Sequence, residues 1–188
     1  MNSGQHADGN RRSPARTVLG FAVMVVFVIA LSQGLKAFVF QAYEIPSGSM
    51  EQTIMTGDMV FAEKVSYYFR EPEPGDIVTF QDPEVPGRIL IKRCIATAGQ
   101  TVSVDTTGTL TIDGVPQSES YVNGLPSYPL KNSSITYPYT VPDGYIWVMG
   151  DNRTNSQDSR YFGAVKVSSV TGRGAFVYWP LSDLGPLS

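Results

Sequence analysis

A mainly β domain behind a single apolar N-terminal helix is the fold this 188-residue sequence predicts. Three observations point to it. Residues 17–35, TVLGFAVMVVFVIALSQGL, carry no charge. The chain beyond them breaks into short runs of β-branched and aromatic residues, punctuated by Gly and Pro. No stretch beyond residue 36 sustains a 3.6-residue apolar period.

The helix comes first. A helix over residues 17–35 is about 28 Å long, close to the ~30 Å hydrocarbon core of a bilayer. Arg11, Arg12 and Arg16 precede it, and only Lys36 stands between it and Glu44. The positive-inside rule then predicts a cytoplasmic tail (1–16), a membrane span (17–35) and an external domain (36–188). A cleavable leader would have a shorter apolar region and a small-x-small site after it, which FVFQAYEIP does not offer. A buried core helix would be apolar on one stripe rather than all round.

Strands are expected in order at 59–65 (MVFAEKV), 76–80 (DIVTF), 88–96 (RILIKRCIA), 101–105 (TVSVD), 109–113 (TLTID), 145–149 (YIWVM) and 174–179 (GAFVYW). EPEPGD, DPEVPG, DGVP and VPDG form turns between them, because Pro fixes φ and Gly frees it. Residues 119–140 are polar and proline-containing, and are expected to be a surface excursion.

Composition narrows the chemistry. A net charge of -3 leaves no basic stripe for phosphates, so nucleic acid is not an expected partner. With one cysteine, Cys94, and one histidine, His6, no internal disulfide and no His/Cys zinc site can form. Ser47 and Ser49 in IPSGSM are ordinary turn vocabulary unless something activates a hydroxyl. A histidine base would have to be His6, in the polar tail.

A lysine can serve only if it is neutral, and burial favours that form. Alternation along 88–96 puts Leu90, Lys92, Cys94 and Ala96 on one strand face, a setting in which the amine has little to solvate it. The strand alone equally allows an edge lysine that blunts aggregation or snorkels to water. Lys64 competes but sits beside Glu63; Lys36 belongs to the membrane boundary and Lys131 to a polar loop. Cys94 reads as a small buried filler. The densest polar stretch, GDNRTNSQDSRYFG (150–163), is either solvated or folded onto the domain to orient other side chains.

In this order, IPSGSM, GDMVFAEK, PGDIVTF, LIKRCIATAGQTV, VPDGYIWVMGDNRTNSQDSRYFG and GRGAFVYWP resemble the type I signal peptidases, membrane-anchored Ser-Lys proteases. One short span and a compact domain are similar to the Gram-positive forms. The resemblance implies a mainly antiparallel β catalytic domain on one transmembrane helix. It also implies Ser49 as nucleophile, Lys92 as general base, Ser47 in the oxyanion hole with the Ser49 backbone N–H, and Ser156 orienting Lys92. Asp151, Arg153, Asp158 and Arg160 would support the site. The implied reaction removes signal peptides from secretory preproteins after small residues of the Ala-x-Ala type, without a cofactor. The implied surroundings are the lipid bilayer of the cell membrane and the translocation machinery.

The sequence departs from the family pattern at Thr97–Gln100, at Thr154, at Phe162 and after Met50, where proline is frequent. Two other readings keep the fold: a self-cleaving Ser-Lys regulator like the SOS repressors, and a non-catalytic membrane-anchored β module. The membrane span, and the lack of an N-terminal DNA-binding region, argue against the regulator.

Overall fold

The computed structural model describes residues 14–130 and 133–187. His6, Arg11, Arg12 and Lys131 lie outside them. The chain divides into two compact units, Met1–Ala37 and Phe38–Ser188. A single helix, α1 (Pro14–Phe38), extends past both ends of the expected span. None of its described residues is buried, and it is long and apolar enough to cross a bilayer.

Among the described residues the second unit has twelve strands: β1 (Phe40–Glu44), β2 (Met59–Glu63), β3 (Ile77–Gln81), β4 (Ile89–Thr97), β5 (Thr101–Val104), β6 (Leu110–Ile112), β7 (Val115–Pro116), β8 (Tyr139–Thr140), β9 (Tyr145–Met149), β10 (Val165–Lys166), β11 (Val170–Trp179) and β12 (Gly185–Pro186). One short helix, α2 (Ser159–Phe162), falls between β9 and β10. The larger sheet runs β1-β2-β11-β3-β4-β9-β10 with β12 on β11; the smaller runs β7-β6-β5-β8. Every pairing is antiparallel. All seven expected strands form, and β11 begins earlier than its apolar core suggested.

The DGVP turn shows local chemistry at work. Asp113 and Gly114 both have positive φ, 51° and 78°, the geometry of a two-residue hairpin whose twist matches its strands. β1 was not expected. FQAYE becomes a strand by pairing with β2, from Phe40↔Glu63 to Glu44↔Met59. The 119–140 segment also differs from expectation. Val122 and Ser127 are buried, and Ile135, Tyr137 and Tyr139 pack against the core formed by Val102, Leu110, Ile112 and Trp147.

A second core holds the stretch that concerns function. Ile45, Met50 and Ile54 are buried with Val60, Ile77, Val177 and Leu187. Full burial of each of the three stabilises by at most about 1.5–3 kcal/mol. They flank Ser49 along the chain, so the segment that carries that hydroxyl is anchored in this core. The third core contains Val78, Phe80, Cys94, Ile146, Val148 and Val165, which places Cys94 in packing.

Candidate active site

Ser47, Gly48, Ser49, Arg88, Leu90, Lys92, Asn155 and Gln157 line a cleft of about 250 Å³. Ser49 sits in a 3-10 turn, Gly48–Met50, between β1 and β2. Lys92 projects from the middle of β4. Lys92 Nζ donates to Ser49 Oγ at 2.7 Å and to Ile91 O at 2.8 Å, and the lysine is only 3% exposed. Burial pushes its pKa down to about 8; the nearby Asp158, Asp151 and Asp82 carboxylates oppose this, and Arg88 adds to it. Neutralisation near working pH is what a lysine base requires. The buried Cys94 thiol shifts the other way, up to about 12, mainly by burial.

Ser47 also lines the cleft. An extended backbone would have put residues 47 and 49 on one side. Ser47 is extended (φ -140°, ψ 151°), whereas Gly48–Met50 coils into the 3-10 turn. The turn, not strand alternation, brings both serines to one cleft. Ser47 is exposed and its side chain makes no capping bond.

The loop after β9 grips this turn. Asn152 N donates to Ser49 O at 3.2 Å, while Asn152 Nδ2 donates to Gly48 O at 2.9 Å and Glu51 Oε2 at 3.2 Å. A Cβ on Gly150 would stand 2.3 Å from both Ser49 O and Ser156 Oγ, so only glycine fits there. Ser156 Oγ is buried and has no hydrogen-bond partner among the described residues. It helps hold the Asp158 pKa low, yet makes no bond of normal geometry to that carboxylate. The second bond of Lys92 goes to Ile91 O, not to Ser156.

Asp151 accepts from Arg93 through both oxygens, at 2.9 and 2.8 Å, and from Thr53 Oγ1 at 2.5 Å. It therefore ties β4, one residue from Lys92, to the segment just after the Ser49 turn. Asp158 accepts from Gly150 N at 3.0 Å and from Arg160 Nε and Nη2, both at 2.9 Å. Burial alone would raise the Asp158 pKa; the Arg160 bonds and charge outweigh it and lower it. Arg160 Nη2 also donates to Arg153 O at 2.8 Å. Arg153 donates to Gly150 O at 3.0 Å, to both Glu119 oxygens at 2.6 and 2.7 Å, and to Ser127 Oγ. The polar loop is thus folded onto the domain with its charges satisfied, as buried charges must be.

Sequence reasoning did not single out Arg93, Glu119, Ser127, Thr53 or Gly150. Arg93 stood next to Lys92 in LIKRC, a buried cation that needed an anion; the others carry no local signal. The departures are accommodated: Gln100 Oε1 accepts from Thr97 N at 2.9 Å and closes the β4–β5 turn, while Phe162 packs edge-on against Phe80. Thr154 is exposed.

The signal peptidase, peptidase S26 family model matches residues 18–179. A probable signal peptidase I-1 from Synechocystis is 41% identical over 172 residues, covering 88% of this chain and 83% of that protein. Signal peptidase I of Mycobacterium tuberculosis H37Rv is 34% identical, covering 95% of this chain and 78% of that protein. A solved signal peptidase I from Enterococcus faecalis V583 is 37% identical, with a match covering 55% of this chain and 97% of that one at a TM-score of 0.44. Built around a buried lysine on a serine hydroxyl and matched along most of its length, the chain belongs to the signal peptidase family, peptidase S26.

Proposed function

We propose that this protein is a membrane-anchored signal peptidase I in which Ser49 and Lys92 form the catalytic dyad. The observation that carries the reading is the 2.7 Å contact between Lys92 Nζ and Ser49 Oγ, inside a cleft and with the lysine buried. With the amine neutral, its lone pair takes the Ser49 proton as Oγ attacks the scissile carbonyl carbon. The carbonyl oxygen becomes an oxyanion that the Ser49 N–H and the Ser47 hydroxyl stabilise. On collapse the C–N bond breaks and the Lys92 ammonium protonates the leaving amine. Water, deprotonated by Lys92, then hydrolyses the ester and restores Ser49. Ser156 Oγ, buried at Gly150 and making no bond to Lys92 in the resting site, turns to the amine to orient it during these transfers. Asp151, Arg153, Asp158 and Arg160 hold the loop and β4 in place.

The substrate is the signal-peptide region of a secretory preprotein. Its extended chain adds to β4: residues 89–92 pair with β3 on one side, and β9 takes up the other side only from Arg93 onward. Edge addition fixes the main chain, and a cleft this small favours small residues of the Ala-x-Ala type. α1 spans the cell membrane, with the tail cytoplasmic, the domain outside, and lipid and the translocation machinery as surroundings. Impermeant thiol labelling of a cysteine placed at residue 5 in intact cells contradicts that orientation. A serine-directed covalent probe tests the central assignment. Labelling at Ser49 that is lost in Lys92→Ala supports the dyad, and no labelling of the intact enzyme removes it.

A further inference from the structure

The β3–β4 hairpin brings into the cleft a cation that the dyad does not use. Arg88 precedes β4 on the strand face of Leu90 and Lys92, and all three line the cleft with Ser47 and Ser49. Its guanidinium is held from behind. Arg88 Nε donates to Asp82, whose side chain is 1% exposed. Asp82 is itself fixed, accepting from Glu84 N at 2.8 Å and Val85 N at 3.3 Å. Asp82 N donates to Arg88 O at 2.9 Å and closes the hairpin. Among the described residues neither Nη atom of Arg88 has a hydrogen-bond partner, and the side chain is 47% exposed. Asn155 and Gln157 supply the remaining long polar side chains of the lining; among the described residues no carboxylate lines the cleft, and Glu84 lies at its edge, accepting from Gln157 Nε2 at 3.4 Å.

A guanidinium tied at its inner nitrogen and open at its outer pair is a planar two-donor fork of the kind that grips a carboxylate. Because Asp82 already orders it, less side-chain freedom is lost on binding than for an untethered arginine. The structure assigns to Arg88 a specificity role: it pairs with an acidic side chain of the preprotein near the scissile bond. This rests on reading the cleft as the peptidase site. Along a substrate strand on residues 89–92, the position facing Arg88 lies about four residues, or roughly 13 Å, from the one at Lys92. The reach of the arginine side chain shortens that separation.

The test uses the full-length enzyme in detergent and preproteins carrying a single Asp, Asn or Lys at each position within about five residues of the cleavage site. kcat/KM is measured on the alkaline plateau, where Lys92 is neutral and the charge of Arg88 does not alter the base. At one position Asp should exceed Asn by about three- to tenfold, with Lys disfavoured, and added salt should shrink the ratio. Arg88→Gln should bring the Asp/Asn ratio to about one, and Arg88→Glu should turn the preference toward Lys. An arginine that only closes the hairpin moves neither ratio. A preference unchanged in Arg88→Glu, or no position at which the enzyme tells Asp from Asn, overturns the assignment alone. A chain that cleaves none of the panel removes the peptidase reading and the assignment together.

Discussion

Arg93 and Asp151 form a bidentate ion pair at 2.9 and 2.8 Å, with side chains 2% and 0% exposed, one residue along β4 from Lys92. The pair joins the strand carrying the lysine to the loop that holds Ser49. Removing one partner leaves the other charge buried and alone, at a cost of about 3–5 kcal/mol. Arg93→Met should therefore unfold the full-length protein in detergent at markedly lower denaturant than wild type. A shift below about 1 kcal/mol would show that the pair is dispensable.

Gly150 gives a sharper geometric prediction. An alanine there meets Ser49 O and the Ser156 side chain at distances no Cβ tolerates. The neighbours must move, and Ser49 moves with them. Displacement of about 1 Å in a catalytic group typically costs ~10² in rate. Gly150→Ala should lose about that factor in kcat while keeping its far-ultraviolet spectrum. Turnover within about threefold of wild type would show that the loop gives way without disturbing the nucleophile.

Ser47 separates transition-state stabilisation from folding. Exposed and without a side-chain cap bond, it contributes little to stability. Losing an oxyanion donor costs about 10²–10³ in turnover, because that interaction strengthens in the transition state. Ser47→Ala should lower kcat by that factor with KM and thermal stability nearly unchanged, and Ser47→Thr should retain much of the activity. Steady-state kinetics with a preprotein decide it: a decrease of less than about threefold removes the donor role.

The fold was largely legible because its strands announce themselves locally. YIWVM and DIVTF have no other comfortable state, and Asp113-Gly114 writes its own turn. FQAYE does not, since its strand character comes from pairing with β2. Within the site, Ser49 and Lys92 were legible through motif and apolar context. The partners of Asp151 and Arg153 were not. Arg93 lies 58 residues from Asp151 and Glu119 lies 34 from Arg153, so no local pattern connects them. That distant grip by Glu119 and Ser127 also explains why a stretch read as surface excursion is partly buried.

Lys92 links stability to pH. Its folded-state pKa, about 8, is below its ordinary 10.5, so between these values the unfolded chain binds more protons. Unfolding free energy attributable to Lys92 must then rise with pH across that window. Below about 8 the buried amine carries its full penalty, on the order of 3 kcal/mol. In a Ser49→Ala background, Lys92→Met should be more stable than the lysine form at neutral pH by up to that amount, with the difference fading above about pH 10. Denaturant titrations at several pH values check it. A gap that does not vary with pH contradicts a depressed amine.

The most direct measurement is the rate of preprotein cleavage by Lys92→Ala and Lys92→Arg beside the pH profile of the wild-type enzyme. Wild-type kcat/KM should rise with pH along a limb near 8, since only the neutral amine accepts the Ser49 proton. Both variants should be inactive at every pH, because alanine has no base and arginine keeps its proton. Cleavage by Lys92→Ala at a rate near wild type would mean that Ser49 is activated by something other than Lys92.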